Sequence, residues 1–164
     1  MNHDYTADEL IALLGLQPLE GEGGFFRQTY RQPDATGKGS LTTAILFMVT
    51  PDSFSALHRL THDELFHYYL GDPCEMVTFR GSDDFELTTL GSDLRGGMKV
   101  QQLVEAGQWQ GTRLRAGGRF ALFGTTMTPG FNPLGFELAG EETLLELCEL
   151  DRAIVRPYLP LMHT

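Results

Sequence analysis

The residues best suited to chemistry lie between Phe54 and Pro73, in the stretch FSALHRLTHDELFHYYLGDP. Three of the five histidines, His58, His62 and His67, fall here beside the acidic pair Asp63–Glu64 and the adjacent Tyr68 and Tyr69. Among apolar neighbours these types can supply general acid–base chemistry, in which a histidine oriented by a carboxylate removes a proton and a tyrosine returns one. His58 or His67 is the candidate base, Glu64 or Asp63 its partner, and Tyr30, Tyr68 or Tyr69 the acid. A transition metal would need several convergent imidazole or carboxylate ligands. His58 and Glu64 are the ligands to expect if a divalent metal is held, with His62 or His67 as a substitute third. Strand alternation puts Glu64 and Phe66 on one face and His67 and Tyr69 on the other, so these residues do not all converge.

Binding without chemistry needs only aromatic walls and a few placed polar groups. Phe25, Phe66, Trp109, Phe123, Phe131 and Phe136 are candidate walls; Arg27, Gln110 and Glu137 are candidate polar contacts. Arg27 stands in an apolar strand, where a buried guanidinium would need an acceptor such as a ligand phosphate, Glu137 or Glu64. No glycine-rich phosphate loop is present, because Gly23-Gly24 and Gly117-Gly118 read as turns.

The elements that position these residues follow from composition and punctuation. The chain has 164 residues, 41% hydrophobic and 21% charged, which is globular and long enough to bury a core as one domain over residues 1–164. Its 19 glycines and 8 prolines favour many turns. A net charge of −10 repels phosphate backbones, so no nucleic-acid partner is expected, although a cleft with local cations still admits one nucleotide. Cys74 and Cys148 belong to no CxxC pair and read as reduced thiols. The start MNHDYTADEL carries no apolar signal region, and no apolar run reaches membrane-spanning length, so the expectation is a cytoplasmic chain with no membrane partner.

Thr6-Ala7-Asp8-Glu9 is a capping box, and the leucines and isoleucine that follow, closed by Gly15, predict a short amphipathic helix over 7–14. Residues 25–30 and 42–49 read as strands. The second is apolar on both faces, and it is also a candidate for exchange across a two-fold axis to hide a sheet edge. Further strands are predicted at 54–58, 64–70, 75–79, 85–90, 100–104, 109–114, 119–127 and 134–138, separated by Gly, Pro and Asp turns. Residues 141–149 read as a closing helix with Leu144, Leu145, Leu147 and Cys148 on its apolar side, and 156–160 as an extended tail. Many short strands without α/β alternation predict an antiparallel barrel with a cavity at one mouth.

The pieces GGFFRQTY (23–30), TAI (43–45), FSALHR (54–59), DELFHYY (63–69), AGQWQ (106–110), TPGF (128–131) and GFEL (135–138) resemble, in order, the cupin superfamily. More closely they are similar to its small family of unknown function, sometimes called the fifth cupin type. The resemblance implies an all-β double-stranded β-helix, a jelly-roll barrel with short N-terminal and C-terminal helices. It also implies a homodimer and a cavity for a small ligand. Sugar-nucleotide epimerases and isomerases share such a barrel. The family's metal pattern is kept at His58, Glu64 and Gly71, but Leu60 and Gln110 stand where two further histidine ligands are usual.

The resulting expectation is a small polar metabolite, a sugar or nucleotide derivative, bound with His58, Glu64 and Gln110 at the barrel mouth. His67, Tyr69, Arg27, Phe131 and Glu137 are the supporting candidates. One alternative is a metal-independent sugar-nucleotide epimerase or isomerase using His58, Glu64, His67 and Tyr69. A second is a metal-dependent enzyme on a degenerate His58/Glu64 site. Only this last reading requires a cofactor.

Overall fold

The computed structural model describes residues 5–81, 84–140, 143, 147, 154 and 156–158. Helix α1 (Ala7–Leu14) begins as its capping box dictates: the Glu9 amide donates to Thr6 Oγ1 at 3.2 Å, and the Thr6 amide donates to Glu9 Oε2 at 2.8 Å. Gly15, at φ 62°, closes it.

Eleven strands follow: β1 (Gln17–Pro18), β2 (Phe25–Pro33), β3 (Ser40–Val49), β4 (Ser55–Leu60), β5 (Glu64–Gly71), β6 (Cys74–Gly81), β7 (Asp84–Leu90), β8 (Gln101–Val104), β9 (Trp109–Leu114), β10 (Ala121–Met127) and β11 (Phe136–Leu138). They form two antiparallel sheets, in the orders β1-β2-β3-β10-β5-β8 and β11-β4-β9-β6-β7. The described chain is therefore mainly β, with its two antiparallel sheets packed as a jelly-roll barrel. Strand β3 lies inside its sheet, paired to β2 and β10 of the same chain. It is not an edge awaiting exchange; the sheet edges are β1, β8, β11 and β7.

Three apolar clusters hold the layers. Between the sheets, Phe47, Phe66, Met76, Leu90, Val104 and Phe123 interlock. Outside the first sheet, α1 lays Leu10 over Met48 and Leu122. Outside the second, Leu57, Val77 and Trp109 are covered by Ala139, Leu147 and Tyr158. The end of β3 is thus sealed on both faces, Phe47 and Val49 by the first cluster and Met48 by the second, which is why that part of the strand is apolar throughout rather than alternating. The closing helix expected at 141–149 falls mostly outside the described residues, as does Cys148; of that segment Leu147 is described and is buried. The tail departs from expectation. Arg156–Tyr158 is a 3₁₀ turn, not extended, because it buries Tyr158, whose hydroxyl donates to Glu75 at 3.0 Å.

Candidate functional site

A cavity of about 180 Å³ opens between the sheets. Its walls are largely apolar: Phe26 from β2, Ile45 and Phe47 from β3, Phe66 from β5, and Phe131 and Phe136 from the segment that leads into β11. Phe131 is fixed there by its backbone, since its amide donates to Thr43 Oγ1 at 2.9 Å.

Against these walls stand the polar groups. His58 is buried, 2% exposed, and its ring stacks on Phe136 with centroids 5.4 Å apart. Its Nδ1 lies 2.8 Å from the Ala56 carbonyl. A carbonyl can only accept, so Nδ1 carries the proton, and in the neutral ring Nε2 is left as an acceptor. Nε2 has no hydrogen bond among the described residues and lies 3.9 Å from Glu22 Oε1.

Glu22 reaches this position because the chain turns hard against β4. Gly23 has φ 96°, and a Cβ there would collide with the Phe54 carbonyl. The close approach lets the Ala56 amide donate to the Glu22 carbonyl at 2.8 Å and Ser55 Oγ donate to Glu22 Oε1 at 2.7 Å. Glu64, 7% exposed, accepts from Gln110 Nε2 at 2.8 Å. Loss of water pushes its carboxyl above the ordinary range. The nearby His58 and hydrogen bonds from Thr125 and Gln110 oppose the rise, and the Glu22 charge adds to it. Gln110 is itself 1% exposed, and its Oε1 has no partner among the described residues.

The structure therefore brings His58, Glu64 and Phe131 to one cavity, with Gln110 bonded behind Glu64. His58, Glu64 and Gln110 are buried rather than set at the rim. The other candidates lie elsewhere, for reasons of strand parity. His67 faces away from Glu64 and Phe66, bonded to Gln101 at 2.9 Å and Thr126 at 3.3 Å. Tyr69 is 54% exposed and lies across Gly124 on the outer face. Arg27 sits between Phe26 and Gln28, which line the cavity, so it points the other way, exposed, toward Gly15. It is not the buried guanidinium expected. Glu137 likewise turns outward from Phe136 and pairs with Arg59 at 2.7 Å.

Asp63 accepts from the Ala106 amide, a structural bond. His62 is in a bend outside the cavity, its Nδ1 buried without a partner. The candidate tyrosine acids also lie away from the site: Tyr68 donates to the Gly71 carbonyl at 2.6 Å, and Tyr30 is exposed.

Residues not foreseen are Glu20, Glu22, Gln28, Thr43 and Thr125. The available signals were an acidic residue directly before Gly23-Gly24, and alternation along β2 and β10. A transition metal does not fit this donor set. Leu60, on the wall, offers no donor, and Gln110 is engaged by Glu64. Among the described residues, no group of three or more His, Cys, Asp or Glu side chains is arranged to hold an ion.

A jelly-roll barrel with His58 and Glu64 inside it is the arrangement of the cupin class. The family model described as "Cupin superfamily (DUF985)" matches residues 8–139. The chain belongs to that family. A protein from Shewanella oneidensis is 30% identical, with a TM-score of 0.87 over 95% of this chain and 98% of that one. A hypothetical protein from Leishmania major is 27% identical, with a TM-score of 0.84 over 94% and 99%. A cupin 2 conserved barrel domain protein from Rhodopseudomonas palustris shares the fold at 14% identity and a TM-score of 0.59, over 87% of this chain and 85% of that one. No curated protein matches the chain.

Proposed function

We propose that the barrel cavity binds a small polar metabolite about the size of one sugar ring or nucleobase. The observation that carries this is the combination of aromatic walls with buried polar groups not used up by the fold. His58 and Glu22 both line this open cavity of about 180 Å³, and His58 Nε2 and Glu22 Oε1 stand 3.9 Å apart, beyond hydrogen-bond distance. A sugar or nucleotide derivative fits this reading through its ring. Its phosphates would remain outside, because no lysine or arginine among the described residues lines the cavity. The test is a thermal-shift screen of chelator-treated protein against monosaccharides, nucleosides, nucleotides, small amines and divalent metals. Stabilisation by an organic ring compound supports the reading; stabilisation by a metal alone, or by nothing, counts against it.

A second reading, a metal-independent epimerase or isomerase, draws on one specific feature. A histidine with a free Nε2 and a carboxyl held toward its protonated form share one cavity, the pairing that proton abstraction and return require. Here Glu64, not a tyrosine, would be the acid. Solvent deuterium entering a bound keto sugar, and its loss in His58→Asn, would support this; no exchange would leave binding alone. We carry the homodimer forward as part of the proposal, supported by exposed Tyr30 and Leu41 on β2 and β3, and light scattering tests it.

A further inference from the structure

The proposed binding site has a charge preference written into its lining. Three acidic side chains, Glu20, Glu22 and Glu64, and one histidine line the cavity; Glu20 and Glu22 carry the negative charge, and no lysine or arginine among the described residues lines it. The ionisable groups lean the same way in hydrogen bonding, the side-chain donors on the lining being the Thr43 and Thr125 hydroxyls and the Gln28 amide at its edge. Glu22 receives one bond from Ser55 and retains further acceptor capacity. His58, 98% buried by its 2% exposure, presents Nε2 with no partner among the described residues and with Nδ1 already committed to Ala56. Such a lining welcomes a ligand that donates and disfavours one that brings further negative charge, since an unpaired anion beside carboxylates in a partly dry cleft is costly.

The aromatic walls complete the picture. Phe26, Phe131 and Phe136 line the cavity, and aromatic rings attract cations through their quadrupoles. The chain's net charge of −10 adds a field that gathers cations rather than anions.

From these observations, and resting on the cavity being the binding site, we infer that its ligand class is small organic ammonium ions. The preferred ligand is a primary amine on a compact ring, with its nitrogen paired to Glu22 and its body against the phenylalanines. Amino sugars belong to this class; free acids and phosphate esters do not.

The experiment is a protein-detected NMR titration of the full chain with three probes of matched shape: benzylammonium, benzyl alcohol and benzoate. The expected result is shifts at the amides of Glu22, Phe26, His58 and Thr125, with benzylammonium binding about tenfold tighter than benzyl alcohol and benzoate giving no cavity shifts. In Glu22→Gln, which keeps an oxygen to accept from Ser55, the amine's advantage over the alcohol should vanish. The spectrum itself reports whether the variant is folded. Cavity binding of the alcohol or benzoate as tight as that of the amine overturns the ammonium assignment and leaves the cavity site standing. An amine preference that survives in folded Glu22→Gln also overturns it. Absence of cavity shifts with all three probes overturns both the assignment and the site on which it rests.

Discussion

Replacing Glu64 by glutamine should flatten the chain's loss of stability at higher pH. The carboxyl is 7% exposed and is held above its ordinary range chiefly by the loss of water. The folded state therefore binds this proton more tightly than the unfolded state does. Its stabilising contribution is complete below the unfolded carboxyl pKa and is lost as pH rises through the folded one. Inside that window one proton is at stake, so the wild-type chain loses up to ~1.4 kcal/mol per pH unit relative to Glu64→Gln. In a domain of this size that is about 3–6 °C of melting temperature per pH unit. Glutamine preserves shape, so the two proteins should match most closely at acid pH and diverge above it. Carboxylates held ionised, such as Glu86 hydrogen-bonded by the Lys99 ammonium, slope the other way, but they are common to both proteins and cancel. Circular-dichroism melts of both proteins from about pH 4 to about pH 8 make the comparison. Parallel curves would show that Glu64 ionises as an exposed carboxyl does, and would remove it as an acid.

Other consequences are equally direct. Gly23→Ala forces a Cβ into the Phe54 carbonyl at φ 96°, and should cost about 2 kcal/mol or more together with the placement of Glu22; melting and ligand titration check both. Tyr158→Phe removes the 3.0 Å bond to Glu75 under the second sheet and should lower stability by about 0.5–1.5 kcal/mol, read by urea unfolding. Glu137→Gln breaks an exposed pair with Arg59, so it should change stability by less than about 1 kcal/mol and leave cavity binding unaltered in calorimetry. His67→Ala should lower the melting temperature by a few degrees through its lost bonds to Gln101 and Thr126, again without changing ligand affinity.

The barrel was legible because its signals are local. The Thr6–Glu9 box with Gly15 bounds α1 at 7–14, and the Gly, Pro and Asp turns mark strands that the structure finds within a few residues. Parity within a strand was legible too, since the separation of Glu64 and Phe66 from His67 depends only on alternation. The inward direction was not. Arg27 and Glu137 each lie next to a phenylalanine that lines the cavity, Phe26 and Phe136, and a single step of register decides which of the two enters. Glu22 was invisible for a different reason. Its place beside His58 is set by a loop pressed onto a strand more than thirty positions later, a contact with no periodicity to announce it. The tail misled because apolar and proline residues there suggested extension, whereas burial of Tyr158 selects a 3₁₀ turn.

The central claim is that ligand enters the cavity between the sheets. Gln28 is exposed at the cavity's edge, so Gln28→Trp should plug the opening without disturbing the core. The decisive measurement compares ligand-induced thermal shifts of the wild-type chain and this variant with the best compound from the screen. At ~100 times its dissociation constant, that compound should stabilise the wild-type chain by ~2.7 kcal/mol, or about 5–11 °C. Binding inside the barrel gives this shift in the wild-type chain and its loss in folded Gln28→Trp. An equal shift in both would place binding elsewhere on the molecule.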